Sequence, residues 1–113
     1  MKQIIAIIKP AAVERVKHAL HELGHFPGFT LLHVHGESRG RAPGHAYAPV
    51  EWDFEEHDNA MMLMFCADEF APAVIDAIRN AAHTGRPGDG VIAVSEISEM
   101  VRIRTDEHGA AAV

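Results

Sequence analysis

Residues Thr84 to Val94, TGRPGDGVIAV, set three glycines and a proline between a helix pattern and an apolar strand pattern. A backbone that bends this sharply and carries few side chains brings several N–H groups against an anion, typically a phosphate. Just downstream, in VRIRT, Arg102 and Arg104 stand two residues apart. Strand alternation through that segment points both guanidinium groups to the same side. Two aligned arginine forks suit phosphate oxygens better than two lysines would. An ordinary helix-to-strand turn accounts for the glycines alone, and a solvated edge strand for the arginines alone. Together they favour an anion site.

Upstream, Ala60 to Ala67 (AMMLMFCA) is a continuous apolar run of strand length. Asp68 is placed to cap the next helix and Pro72 fits its first turn. Phe70, Val74, Ile78 and Ala81 then lie on one helical face, and the helix closes at Gly85. At the start of the chain, four isoleucines between Lys2 and Ile8 read as a buried strand that Pro10 ends. Val13, Val16, Leu20 and Leu23 repeat at helical spacing, with Gly24 placed to stop the helix. Phe29 to Gly36 reads as a second strand. Residues 37–59 have no clear period and contain glycines, two prolines and the acidic run EWDFEEHD. A loop of that length in a small domain is usually functional. Val91–Ile97 and Met100–Thr105 read as strands, and DEHGAAAV as a polar, small-residue tail. The order strand, helix, strand, loop, strand, helix, strand describes an α+β, ferredoxin-like βαββαβ sandwich with both helices on one face. The other sheet face is left bare and apolar, which predicts a closed cyclic oligomer.

The chain has 113 residues, which makes one domain, 1–113, with a real core but little room for a large cleft within one copy. A hydrophobic fraction of 48% and a charged fraction of 23% are those of a globular protein. The apolar stretch in MKQIIAIIKP is too short for a signal peptide or a membrane span, and the single cysteine, Cys66, suits a reducing compartment. A cytoplasmic protein without membrane insertion is expected. The net charge of −6 offers no basic stripe for nucleic acid.

The segments AIIKP (Ala6–Pro10), GFT (Gly28–Thr30) with a strand ending at Gly36, TGRPGDG (Thr84–Gly90) and VRIRT (Val101–Thr105) resemble the PII signal-transduction family. They occur in the family's order over nearly the whole chain. The resemblance implies a homotrimer that binds adenine nucleotides in inter-subunit clefts and docks a long loop onto target proteins. By position it places Thr30 near the adenine and Gly36 with Arg39 at the base of the loop. Gly88, Asp89 and Gly90 would line the phosphates, and Arg102 and Arg104 would pair with them.

Three departures from the family's pattern bear on ligands. Val91 stands where the family usually has a lysine that meets the phosphates. Ser38, Arg39, Gly40 replace glycine, arginine, glutamine, and that glutamine helps hold the magnesium through which 2-oxoglutarate binds in the family. These changes argue against 2-oxoglutarate and for ADP or AMP over ATP. The tyrosine motif that is uridylylated in enteric relatives is absent, and Tyr47 lies in HAYAPVEW instead. The chain therefore resembles a divergent, PII-like branch, and such branches are linked to bicarbonate uptake, carbon metabolism or metal efflux. Its target is expected to be a membrane transporter or a metabolic enzyme. In the loop, Tyr47, Trp52 and Phe54 are candidate anchors for that partner.

Nine histidines bring a metal-responsive module into consideration. His33 and His35 face the same way on a strand, His18 and His21 stand three apart on a helix, and His45 and His57 lie in the loop near carboxylates. No compact ligand signature accompanies them. No nucleophile and base stand at a recognisable spacing either, so the chain reads as a regulator without a required cofactor rather than an enzyme.

Overall fold

The computed structural model describes residues 1–37 and 58–113. The expectations placed on Arg39, Gly40, His45, Tyr47, Trp52, Phe54 and His57 lie outside the described residues.

Strand β1 (Lys2–Ile8) alternates strictly: Ile4, Ala6 and Ile8 are buried, whereas Ile5 and Ile7 are half-buried on the opposite face. Its isoleucine run therefore serves two different environments. Pro10 opens a short 3-10 turn that leads into α1 (Val13–His21), whose Val13, Val16 and Leu20 face the sheet. Proline suits that place because its missing N–H has no partner in a first turn. The helix stops at His21, earlier than the apolar spacing through Leu23 suggests. The tightened bond from the Leu23 N–H to the Leu20 carbonyl ends it.

Strand β2 (Thr30–His35) and β3 (Asp58–Cys66) pair antiparallel, with Thr30 opposite Leu63 and His35 opposite Asp58. Asp58 and Asn59, read from the sequence as loop, thus belong to the sheet. Pairing with β2 brings them in despite their low strand propensity. Helix α2 (Ala71–Ala82) follows a 3-10 turn at Asp68–Phe70 and buries Ala71, Val74, Ile78 and Ala82. Asp68 does not cap it. Its carboxylate accepts instead from the Met1 ammonium at 2.7 Å, an ion pair that holds it below the ordinary carboxylate range. The helix ends at Ala82, three residues before Gly85.

Strand β4 (Gly90–Glu96) completes a sheet of order β2-β3-β1-β4, antiparallel throughout. This is the ferredoxin-like arrangement that the order of elements predicted. Both helices lie against one face, where Leu20, Met62, Met64 and Ile78 are fully buried. Each such side chain contributes about 1.5–3 kcal/mol relative to leaving it exposed. The other face presents Ile5, Ile7, Leu32, Met61, Leu63, Phe65 and Val91, with Leu32, Phe65 and Val91 exposed in the single chain.

Met100–Thr105 is not a strand. Val101 forms one isolated bridge with His108, and between them Arg102 exchanges two backbone bonds, from its N–H to the Glu107 carbonyl and from the Asp106 N–H to its own carbonyl. Asp106 takes a left-handed φ of 57°, and the Thr105 hydroxyl bonds both the Glu107 carboxylate and its N–H, so the chain reverses. Ile103 at the tip is 99% exposed. The tail is likewise structured: Gly109–Ala112 forms a 3-10 turn with Ala112 buried.

Candidate functional site

The turn between α2 and β4 is built around one carboxylate. Asp89 accepts from the Thr84 hydroxyl, from the Thr84 N–H at 2.8 Å and from the Gly85 N–H at 3.0 Å. The Thr84 oxygen in turn accepts from the Arg86 N–H at 3.1 Å. These bonds, led by that of the Thr84 hydroxyl, hold the Asp89 carboxyl below the usual range, and His83 at 3.6 Å adds to the effect. Asp89 therefore shapes the turn from inside. Outward, the turn offers the backbone of Gly88–Gly90 and the exposed Arg86 side chain.

Two glycines make that backbone possible. Gly90 has φ +109°, and a Cβ there would stand 1.9 Å from the Ile7 carbonyl oxygen, so only glycine lets β4 start this close to β1. Gly88 has φ +92°, and the side chain of Lys9 runs past it with Cε 2.9 Å from where a Cβ would be. Behind the turn, on the helix side, a cleft of about 330 Å³ is walled by Ile8, Ile75, Ile78 and Ile92, with Arg79, His83 and Asp89 adding polar groups.

The remaining expected residues are spread along the sheet from one end to the other. Gly90 pairs with Ile8 and Glu96 with Lys2, so β4 runs from the turn to the far end. Gly36, just past β2, shares the turn's end, because His33, Ala60, Ile8 and Gly90 form one row across the strands. Thr30 lies exposed on the bare face of edge strand β2. Arg102 and Arg104 leave β4 from the far end, after Ile97 has bonded the Met1 carbonyl. Arg102 is held there by the tail: its Nη2 donates to the Ala112 carbonyl at 3.0 Å, and its Nε lies 3.9 Å from Glu107. The shared direction of the two arginines does not follow from strand alternation, since they flank the tip of a turn.

The sequence reading did not single out the Thr84 bond to Asp89 or the approach of Lys9 to Gly88. The five-residue spacing of a hydroxyl and an acid across the glycines signals the first. Lys9 stands next to Pro10 at the end of β1, the strand that the turn enters beside.

The histidines are spread among local partners. His18 lies 3.0 Å from Glu22, His21 stacks on Phe26 and His25 on Phe70. His33 and His35 sit opposite Ala60 and Asp58 on the edge strand. Among the described residues no group of three or more His, Cys, Asp or Glu is arranged to hold a metal ion. No described helix is long and apolar enough to cross a membrane.

The model of the family described as nitrogen regulatory protein P-II matches residues 1–107 of the chain. The nitrogen regulatory protein P-II of Rhizobium meliloti (strain 1021) is 44% identical over the full length of both chains, and that of Azospirillum brasilense 40%. The nitrogen regulatory protein GlnK of Escherichia coli (strain K12) is 35% identical, again over the whole of both. These matches favour a signalling regulator over a metal-responsive module. With this topology, this turn and similarity from end to end, the chain belongs to the nitrogen regulatory protein P-II family.

Proposed function

We propose that the chain is a homotrimeric regulator that binds adenine nucleotides between subunits and passes their occupancy to a protein target through residues 37–59. The observation that carries this reading is the division of the candidate site. The backbone turn at Gly88–Gly90 and the arginines at 102 and 104 lie toward opposite ends of one sheet, so one anion reaches both sets when two copies meet. The bare face supplies the reason for copies to meet. Its apolar side chains gain roughly 25 cal/mol per Å² when covered, and a cyclic trimer covers three such faces at once.

Within that cleft the turn's N–H groups receive phosphate, and Arg102 and Arg104 of a neighbouring copy neutralise it. Thr30 contacts the base, while Gly36 and Arg39 connect the cleft to the loop, where Tyr47, Trp52 and Phe54 meet the partner. Ligand binding then shifts the loop's population, with no chemical step. Gly40 gives a magnesium ion no side chain, which argues against 2-oxoglutarate as the effector. Val91 brings no charge, so the ranking of AMP, ADP and ATP depends on which other cation reaches the turn.

Calorimetric titration with the three nucleotides, with and without magnesium, tests this beside an Arg102→Ala, Arg104→Ala variant. Saturable binding that the variant loses supports the reading, and wild-type protein that binds none overturns it. Sedimentation that gives a monomer at micromolar concentration removes the inter-subunit cleft.

A further inference from the structure

Lys9 approaches the glycine turn from the neighbouring strand. Its backbone stays extended after β1, with φ −68° and ψ 142°, so side-chain alternation continues and places it on the same face as Ile7. Ile7 stands opposite Val91, which makes Lys9 and Val91 diagonal neighbours at that end of the sheet. The lysine stem then lies along Gly88, with Cε 2.9 Å and Nζ 3.4 Å from the point that a Cβ would occupy. The missing side chain at 88 is what gives the stem its place. Lys9 is half-buried, and no carboxylate of the described residues pairs with it. The turn's own acid, Asp89, is committed to Thr84 and Gly85. Among the described residues, an ammonium without a counter-charge thus lies along Gly88, in a chain whose net charge is −6.

We infer that Lys9 is a cation of this turn, holding the phosphate that the Gly88–Gly90 backbone receives. The inference rests on the nucleotide reading above and deepens it by naming the ligand class. Lys9 on one side of the cleft and the arginine pair of a neighbouring copy on the other suit a ligand with more than one phosphate group. Lys9 therefore favours ADP and ATP over AMP and replaces the charge that Val91 lacks.

The test is calorimetric titration of AMP, ADP and ATP with magnesium into the full chain and into Lys9→Gln, Lys9→Arg and Arg102→Ala variants. Lys9→Gln is expected to weaken ADP and ATP by roughly tenfold to a hundredfold, the range for a hydrogen bond to a charged group, and AMP much less. Lys9→Arg retains most of the affinity. Since the Lys9 side chain makes no hydrogen bond or ion pair among the described residues, and its backbone carbonyl still accepts from the Ala12 N–H in the variant, Lys9→Gln should melt with the wild type, which separates lost binding from lost structure. In lysine-labelled wild-type protein, the Lys9 Cε resonance should move when ATP is added. ADP and ATP affinities unchanged in Lys9→Gln but lowered in Arg102→Ala overturn the role of Lys9 and leave the nucleotide reading standing. Equal losses for all three nucleotides overturn the selectivity, and wild-type protein that binds none overturns both readings.

Discussion

The two turns that carry the candidate site are stabilised in different ways. Thr84–Gly90 closes on itself, with one carboxylate satisfying a hydroxyl and two N–H groups. Arg102–Glu107 also closes on itself through backbone and Thr105 bonds, but it leans in addition on residues outside it, through the Arg102 side-chain bond to Ala112 and the neighbouring Gly109 N–H bond to Met100. The first is preformed, its backbone fixed by its own bonds. The second presents long side chains whose position depends on the tail of the chain. Preorganisation thus belongs to the turn, and adjustment to the arginines.

Gly90→Ala attacks the preformed turn most severely. The new methyl would meet backbone, which cannot rotate away, and φ +109° is strained for any L side chain. A loss of more than about 3 kcal/mol is expected in urea titration, large among single substitutions. The matching change in the other turn, Asp106→Gly, relieves a φ of 57° while loosening the unfolded chain. These effects oppose one another, so the net shift should stay below about 1 kcal/mol. Equal urea midpoints for the two variants would break the distinction between the turns.

Asp89→Asn is expected to act next in size, and its signature is pH dependence. The folded-state pKa of Asp89 is depressed by its hydrogen bonds, so its contribution is fully present above the ordinary carboxylate value of 3.8. It is lost as pH falls through the lower, folded value. Thermal melts of wild type and Asp89→Asn should therefore differ by a constant amount at neutral pH and converge under acid. Asp68 titrates in the same direction in both proteins and cancels in that difference. A gap that persists undiminished into strong acid would mean that the Asp89 charge does not hold the turn.

This contrast also marks how far the sequence could be read. Elements whose side chains repeat at a fixed period, such as Ile4, Ala6 and Ile8 or Val74 and Ile78, were legible because burial imposes that period. The glycine turn was legible because Gly88 and Gly90 answer to local backbone geometry. VRIRT misled, since its alternation matches a strand while Asp106 and Thr105 reverse the chain just beyond it. Asp68 misled for a related reason: the Met1 ammonium, 67 positions away in sequence, takes the oxygen that a cap would need. The approach of Lys9 to the turn was not legible because it depends on Gly88 making room for the side chain. Long-range pairings of this kind leave no local pattern.

The smallest effects on stability should come from the arginines, and they sharpen the comparison best. Arg102→Ala removes the bond to Ala112 and a distant, exposed ion pair, so no more than about 1 kcal/mol is expected. Arg104 is exposed, and no hydrogen bond or ion pair to it occurs among the described residues. Arg104→Ala should therefore change stability by less than about 0.5 kcal/mol. If Arg104 serves a nucleotide, the same substitution should weaken ADP binding roughly tenfold or more, as expected for a lost charge-assisted bond. A side chain that contributes to binding but not to folding is what an adjustable arm requires. Should Arg104→Ala instead unfold as early as Arg102→Ala and bind ADP like the wild type, the second turn would be scaffold, and the anion site would reduce to the glycine turn.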